Sequence, residues 1–162
     1  MSSKAALNIV LIEPEIPQNT GSIGRLCLAT GSTLHLVEPL GFEITDSHLR
    51  RAGLDYWEHL NVVRHKSVDE FFAQLPPDAP RAFLSKKAGK THFECEFQAG
   101  TWLIFGKETA GLPDWILDSN TADSFRIPMF DARVRSLNLS TAVGIVMYEA
   151  IRQIDQLSVG SV

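Results

Sequence analysis

The sequence predicts an α/β domain with a mainly parallel sheet and helices on both of its faces. Three observations carry that prediction. Short, β-branched apolar runs alternate along the chain with stretches of helical spacing, the order of a parallel sheet built by crossover connections. The first of these runs is short, β-branched and apolar from Ile9 to Ile12, as a strand buried on both faces would be. No internal repeat and no Pro-, Gly- or Ser-rich linker divides the 162 residues, so residues 1–162 read as one domain, with about 1–6 and 157–162 expected as flexible tails.

The elements follow in order. LNIVLI (Leu7 to Ile12) is the first strand, closed by Glu13-Pro14. After PEIPQN, a helix is predicted from about Thr20 to Ala29, with Gly31 as its stop signal. LHLVEP (Leu34 to Pro39) is the second strand, and a short helix is expected around Ser47 to Arg51. NVVRH is the third strand. SVDEFFAQL is a helix opened by Ser67 with Glu70 three residues on, the spacing of a capping box. RAFLS, TWLIFG and FRIPM supply three more strands, and PDWILD a short helix begun by Pro113. The last helix is expected from about Asn138 to Gln156, its apolar stripe marked by Ala142, Ile145 and Val146. Its approach is unusual: Ser136, Asn138 and Ser140 alternate with Leu137 and Leu139 behind Arg133 and Arg135. One such group caps a helix, and Asn138 is the expected cap.

Composition bounds the function. With 44% hydrophobic and 21% charged residues, the chain can bury a core without disulfides or metal. Cys27 and Cys95 are far apart and form no C-x-x-C pair, which fits a reducing compartment. MSSKAA is too short and polar for a signal peptide, and no apolar run approaches membrane-spanning length, so a cytoplasmic location is expected. A net charge of −4 argues against a protein that coats nucleic acid by bulk electrostatics. Local grip remains open, because cations cluster at Arg50-Arg51, Arg64-His65-Lys66, Lys86-Lys87 with Lys90, and Arg126, Arg133 and Arg135. Any one cluster reads first as solvated surface.

In such a fold a ligand site is expected beyond the carboxyl ends of the strands. NTGSIGR, FGKETAGLP and the segment after FRIP stand there. Familiar nucleotide motifs fail. AGKT lacks the earlier P-loop glycine, since Leu84 holds that position, and the stretch Gly100 to Glu108 has the wrong spacing. TGSIGR has only Gly21 and Gly24, too few for a dinucleotide fingerprint. No H-E-x-x-H or G-x-S-x-G occurs, the five histidines lack ligand spacing, and no metal is expected. What remains is a site of backbone and small polar groups, in which Gly106, Gly111 and Pro113 permit sharp turns around an adenine or ribose. Glu108, held between two glycines in that loop, suggests a carboxylate with a task.

Taken together, NTGSIGRLCLATGSTLHLVEP, WLIFGKETAGLP and FRIPMFDARVRSLNLSTAVGIVMYEA resemble the three ordered motifs of the SPOUT class of RNA methyltransferases. LNIVLIEPEIPQNTG and RRAGLDYWEH are similar to the small TrmL (YibK-type) tRNA (cytidine/uridine-2′-O)-methyltransferases, which carry no extra RNA-binding domain. The resemblance implies an α/β fold with a C-terminal trefoil knot, S-adenosylmethionine bound in the knot, and a homodimer formed through the first and last helices. It implies methyl transfer to the ribose 2′-oxygen of the wobble nucleotide (position 34, cytidine or modified uridine) of leucine tRNAs. By position it places Leu84, Gly106, Ile127 and Ser136 in the cofactor site, lined further by Glu108, Gly111, Leu137 and Asn138. It makes Arg25 and Asn19 the catalytic pair. Ser22 departs from the subfamily's usual asparagine.

Because a guanidinium is effectively always protonated, Arg25 is expected to position the ribose and a phosphate, leaving the proton to water, to phosphate, or to Arg25 only if its pKa is severely depressed. Arg50, Arg51, Lys86, Lys87, Arg133 and Arg135, with Arg64 and Lys90, are the expected phosphate contacts, Lys86, Lys87 and Arg133 lying nearest the site. Tyr56 and Trp57 are expected either to stack an anticodon base or to be buried. The alternatives are a knotted RNA-binding module without activity and a 2′-O-methyltransferase for another RNA site.

Overall fold

The structure, a computed structural model, describes residues 6–45 and 57–159. The expected helix at 47–51, the cations Arg50 and Arg51, and Tyr56 lie outside the described residues. Among the described residues, seven strands and four helices follow one another: β1 Asn8–Ile12, α1 Pro17–Thr30, β2 Thr33–Val37, β3 Val62–His65, α2 Val68–Gln74, β4 Arg81–Leu84, β5 Lys90–Thr91, β6 Trp102–Phe105, α3 Asp114–Ser119, β7 Ser124–Arg126 and α4 Leu139–Val159. The sheet order is β3-β2-β1-β6-β4-β7-β5, and every paired strand runs parallel. The chain winds outward from β1 through β2 to β3, then returns to the other side of β1. The crevice beside β1 and β6 is therefore a topological switch point, where such sheets bind ligands.

Alternation along β1 divides two cores. Ile9 and Leu11 face α1 and α4, packing with Ile23, Cys27, Val143, Val146 and Met147. Val10 and Ile12 face α2 and α3, packing with Phe71, Leu75, Ile116 and Leu117. A central strand covered on both sides is apolar at its buried positions, here Ile9 to Ile12, which is why that run shows no period of two. No helix among the described residues is long and apolar enough to cross a membrane.

Most element ends obey local chemistry. Gly31 closes α1 in the left-handed region (φ 71°), its amide donating to Cys27 and Leu28 carbonyls. Ser67 Oγ accepts the Glu70 amide at 3.0 Å, while the Glu70 carboxylate accepts the amide of Lys66 instead of that of Ser67. Three differences from expectation have physical reasons. α1 begins at Pro17, not near Thr20, because a proline at the first turn loses no helical hydrogen bond. Asn19 and the residues before it, back to Pro17, therefore join the helix predicted from Thr20. α4 continues to Val159, into the stretch expected as a tail. The two-residue β5 pairs with β7, too short to leave any pattern in the sequence.

Gly24 in α1 has a packing role. A Cβ there would stand 2.8 Å from the Trp57 ring, so glycine lets the 3-10 turn Trp57–His59 settle on the helix. Trp57 is half-buried against the core, which favours its packing role over base stacking.

Candidate functional site

A cavity of about 370 Å³ opens beyond the carboxyl ends of β4, β6 and β7, against the start of α1. Each strand end contributes its own segment. Leu84, Ser85, Lys86 and Lys87 follow β4; Gly106 to Leu112 follow β6; Ile127, Met129 and Ser136 to Leu139 follow β7; Ile16 and Asn19 enter from α1. All eight positions expected around the cofactor line this one cavity: Leu84, Gly106, Glu108, Gly111, Ile127, Ser136, Leu137 and Asn138. Asn19 joins them. Arg25 does not line it; it lies on the exposed side of α1, six residues and about 9 Å of helix rise beyond Asn19.

The β6 loop is a tight turn. Gly111 takes φ 66°, and its amide donates to the Lys107 carbonyl at 2.9 Å. A side chain at Gly106 would collide with the backbone of Gly111 and Leu112, so glycine is required for the turn to close.

Two glutamates bind this loop to the β1–α1 connection. Glu108 Oε2 accepts the amides of Glu15 at 2.9 Å and Ile16 at 2.6 Å. In return, Glu15 Oε1 accepts the Thr109 amide at 3.0 Å and its hydroxyl at 2.7 Å. Lys107 Nζ meets Glu13 Oε2 at 2.9 Å alongside, and Glu13 itself takes φ 53°. Burial raises the Glu108 pKa, against the pull of the two amides. Hydrogen bonds from Thr109 lower that of Glu15. The task of the Glu108 carboxylate is thus to hold the entry of α1. Sequence reasoning placed Glu108 in the site but missed its partner, because a link between residues 93 apart leaves no local pattern.

The polar alternation before α4 separates into distinct duties. Asn138 Oδ1 accepts the amides of Ser140 at 2.9 Å and Thr141 at 3.3 Å, making it the cap. Its Nδ2 donates to Asn19 Oδ1 at 3.1 Å, joining the starts of α4 and α1 at the cavity wall. Ser140 Oγ bonds Asn138 Oδ1 at 2.6 Å, and Ser136 faces the cavity.

Of the expected cations, Lys86 and Lys87 line the cavity, and the others carry different commitments. Lys86 Nζ donates to the Arg135 carbonyl at 3.3 Å, and Lys87 pairs with Asp114 at 2.9 Å. Arg133 Nη2 pairs with Asp131 at 2.6 Å, and Arg135 is exposed. Arg64 pairs with Glu38 away from the cavity, and Lys90 Nζ lies 4.7 Å from the centre of the Phe125 ring. Both cysteines are buried, and burial pushes each thiol up to about 12, so neither offers a nucleophile. Among the described residues no group of three or more His, Cys, Asp or Glu is arranged to hold a metal ion.

Against known proteins, residues 6–148 match the model of the SpoU rRNA methylase family. A tRNA (cytidine(34)-2′-O)-methyltransferase of Saccharophagus degradans is 53% identical over 148 residues, covering 91% of this chain and 95% of its own. A structure solved for insight into the 2-OH methylation of C/U34 on tRNA superposes with a TM-score of 0.89 at 42% identity, over 93% of this chain and 97% of the other. The SpoU methyltransferase AviRb from Streptomyces viridochromogenes, in complex with the cofactor AdoMet, gives a TM-score of 0.80 at 26% identity, over 96% of this chain and 62% of that one.

Proposed function

The chain belongs to the SpoU methylase family, and from that premise we propose that it methylates the ribose 2′-hydroxyl of nucleotide 34, cytidine or modified uridine, in leucine tRNAs. The observation that carries the reading is the convergence of four segments on one cavity at the carboxyl ends of a parallel sheet, with a tRNA (cytidine(34)-2′-O)-methyltransferase as a full-length relative. S-adenosylmethionine is the methyl donor, and the cavity fits it. Its volume suits a small-molecule site, its walls are apolar at Leu84, Phe105, Leu112, Ile127 and Leu137, and backbone and hydroxyl groups at Gly106, Thr109 and Ser136 interrupt them. When bound, this cofactor supplies a methyl group already activated for transfer by its positive sulfur.

The chain's own residues then orient the acceptor and exclude water. Asn19, held by Asn138, stands at the cavity wall where a ribose would enter. Arg25, outside the lining, presents guanidinium donors that suit a ribose oxygen or neighbouring phosphate better than the cofactor. The hydroxyl proton leaves to water or to phosphate. Lys86, Lys87, Arg133 and Arg135 at the rim take phosphates, with Arg50 and Arg51 as further contacts. We further propose that the C-terminal segment is threaded through a loop to form the trefoil knot, which accords with residues after β7 lining the cavity and with the Lys86 to Arg135 bond. A homodimer packed through α1 and α4 offers the span that a tRNA needs, and a tRNA substrate fits a cytoplasmic protein.

Nucleoside mass spectrometry of leucine tRNA, incubated with the protein and labelled cofactor, tests the reading. The expected product carries one 2′-O-methyl group at position 34. Methyl on a base would refute the reaction. Methyl on the ribose of a different nucleotide would point to another RNA site, and RNA binding without any incorporation would point to a non-catalytic module.

A further inference from the structure

From the segment between β7 and α4 we infer an RNA contact, namely that Phe130 is a stacking platform for an unpaired base of the substrate, next to the nucleotide that enters the cavity. The inference rests on the proposed RNA substrate. Phe130 is 98% exposed, although Met129 beside it and Ser136 beyond it both line the cavity. Val134, in the same turn, is 49% exposed. The turn that presents the ring is fixed by its neighbours: Asp131 Oδ1 accepts the Arg133 amide at 2.9 Å and its Nε at 3.0 Å, and the Asp131 carbonyl accepts the Val134 amide at 3.2 Å. The ring is therefore offered to solvent on an ordered turn at the mouth of the site.

The flanking charges select the occupant. Arg135 and Lys86 are exposed on the same rim, joined by the bond from Lys86 to the Arg135 carbonyl. Covering this patch with an apolar protein surface would strip water from both cations without pairing them. A nucleic acid offers a base for the ring and phosphates for the cations, the combination used by proteins that bind single-stranded segments. A phenyl ring has no hydrogen-bonding atom, so it recognises an unstacked base without reading its identity. The sequence nominated Tyr56 and Trp57 for such a role. Trp57 is committed to α1, whereas Phe130 has no such commitment.

The test pairs binding with turnover on the full-length protein. A leucine anticodon stem-loop carrying 2-aminopurine beside nucleotide 34 should lose fluorescence on binding the wild type, and Phe130→Ala should abolish that change. Phe130→Ala should lower kcat/KM for tRNA by about 10-fold or more, equally for cytidine and uridine substrates, with cofactor affinity unchanged. Phe130→Trp should restore both signals. Unchanged fluorescence and kinetics in Phe130→Ala would overturn the inference. A shift of oligomeric state in sedimentation would overturn it in favour of a second copy of the chain covering the ring. If the wild type binds and quenches but does not methylate, the proposed reaction fails while the stacking contact stands.

Discussion

At the carboxyl end of the sheet, Glu15 and Glu108 exchange hydrogen bonds with the backbone of each other's loops. On the α2 face, His35 and His65 are joined side chain to side chain, Nδ1 to Nε2 at 3.0 Å, and His35 Nε2 meets Asn8 Oδ1 at 3.1 Å. Asn8 Nδ2 donates to the Gly100 carbonyl at 3.2 Å, so its Oδ1 must accept, and this fixes both tautomers. His35 carries its proton on Nε2 and His65 on Nε2, and the pair stays neutral. The first network uses charge to place two cavity-lining loops. The second avoids charge to place polar groups inside a core of Phe71 and Trp102. One network should therefore respond to cofactor and the other to acid.

The sharpest way to break the comparison is at the closed turn that the clasp supports. Gly106→Ala sets a methyl group against the backbone of Gly111 and Leu112, neither of which is a flexible side chain. Overpacking of this kind costs about 3 kcal/mol or more at a site without slack. Calorimetry should show cofactor affinity reduced on the order of 100-fold, and near-normal binding would disprove the account of the turn.

A smaller loss is expected from the clasp itself. Glu108→Ala leaves the Glu15 and Ile16 amides without their acceptor, and Glu15→Ala does the same to Thr109. Each should weaken cofactor binding by about 5- to 50-fold, the cost of one or two unmet hydrogen bonds. The double variant should be little worse than either single one, because the two side chains act as one link. Fully additive losses would separate them. Glu108→Gln, which keeps an acceptor oxygen, should fall between wild type and Glu108→Ala.

The imidazole pair makes the opposite prediction. Burial and the neighbouring His65 depress the His35 pKa to about 4, and burial lowers that of His65 as well. Against an unfolded value of about 6.5, the neutral pair contributes its full stability above that pH. As pH falls from there toward 4, the unfolded chain takes up protons that the native state refuses. Stability should drop by about 1.4 kcal/mol per pH unit for each excluded proton. Denaturant titrations between pH 7.5 and 5 should show this slope reduced in His35→Gln. The Glu108→Ala protein should keep it.

These contrasts also mark what could be seen in the sequence. The strands were most legible where they are central and buried on both faces, as in β1 and β6, whereas β3 and β7 mix in Arg64, Ser124 and Arg126 and β5 left no signal. The cavity was legible because strand ends, glycines and ordered motifs coincide in the chain. Glu15 was invisible as a partner, since PEIPQN reads as an ordinary loop and its counterpart Thr109 is supplied by a distant strand end. His35 and His65 were read as strand residues without metal-ligand spacing, and His65 also as part of a cationic surface cluster. Their adjacency depends on the register of β2 against β3, in which Val37 pairs with His65. Phe130 was hidden for a different reason: a phenylalanine in a chain that is 44% hydrophobic counts by default as core.

The smallest expected effect separates two helix caps that look alike in sequence. Ser67 caps α2 through the Glu70 amide, and Asn138 caps α4 through the amides of Ser140 and Thr141. Replacing either by alanine should cost about 1 kcal/mol of stability. Ser67→Ala should do nothing more, because α2 touches no part of the cavity. Asn138→Ala also releases Asn19, whose Oδ1 then loses its donor at the wall of the site. Equal melting shifts with turnover lost only in Asn138→Ala would assign the second amide bond to function. Equal turnover in both would reduce Asn138 to a cap and leave Asn19 to be positioned by α1 alone.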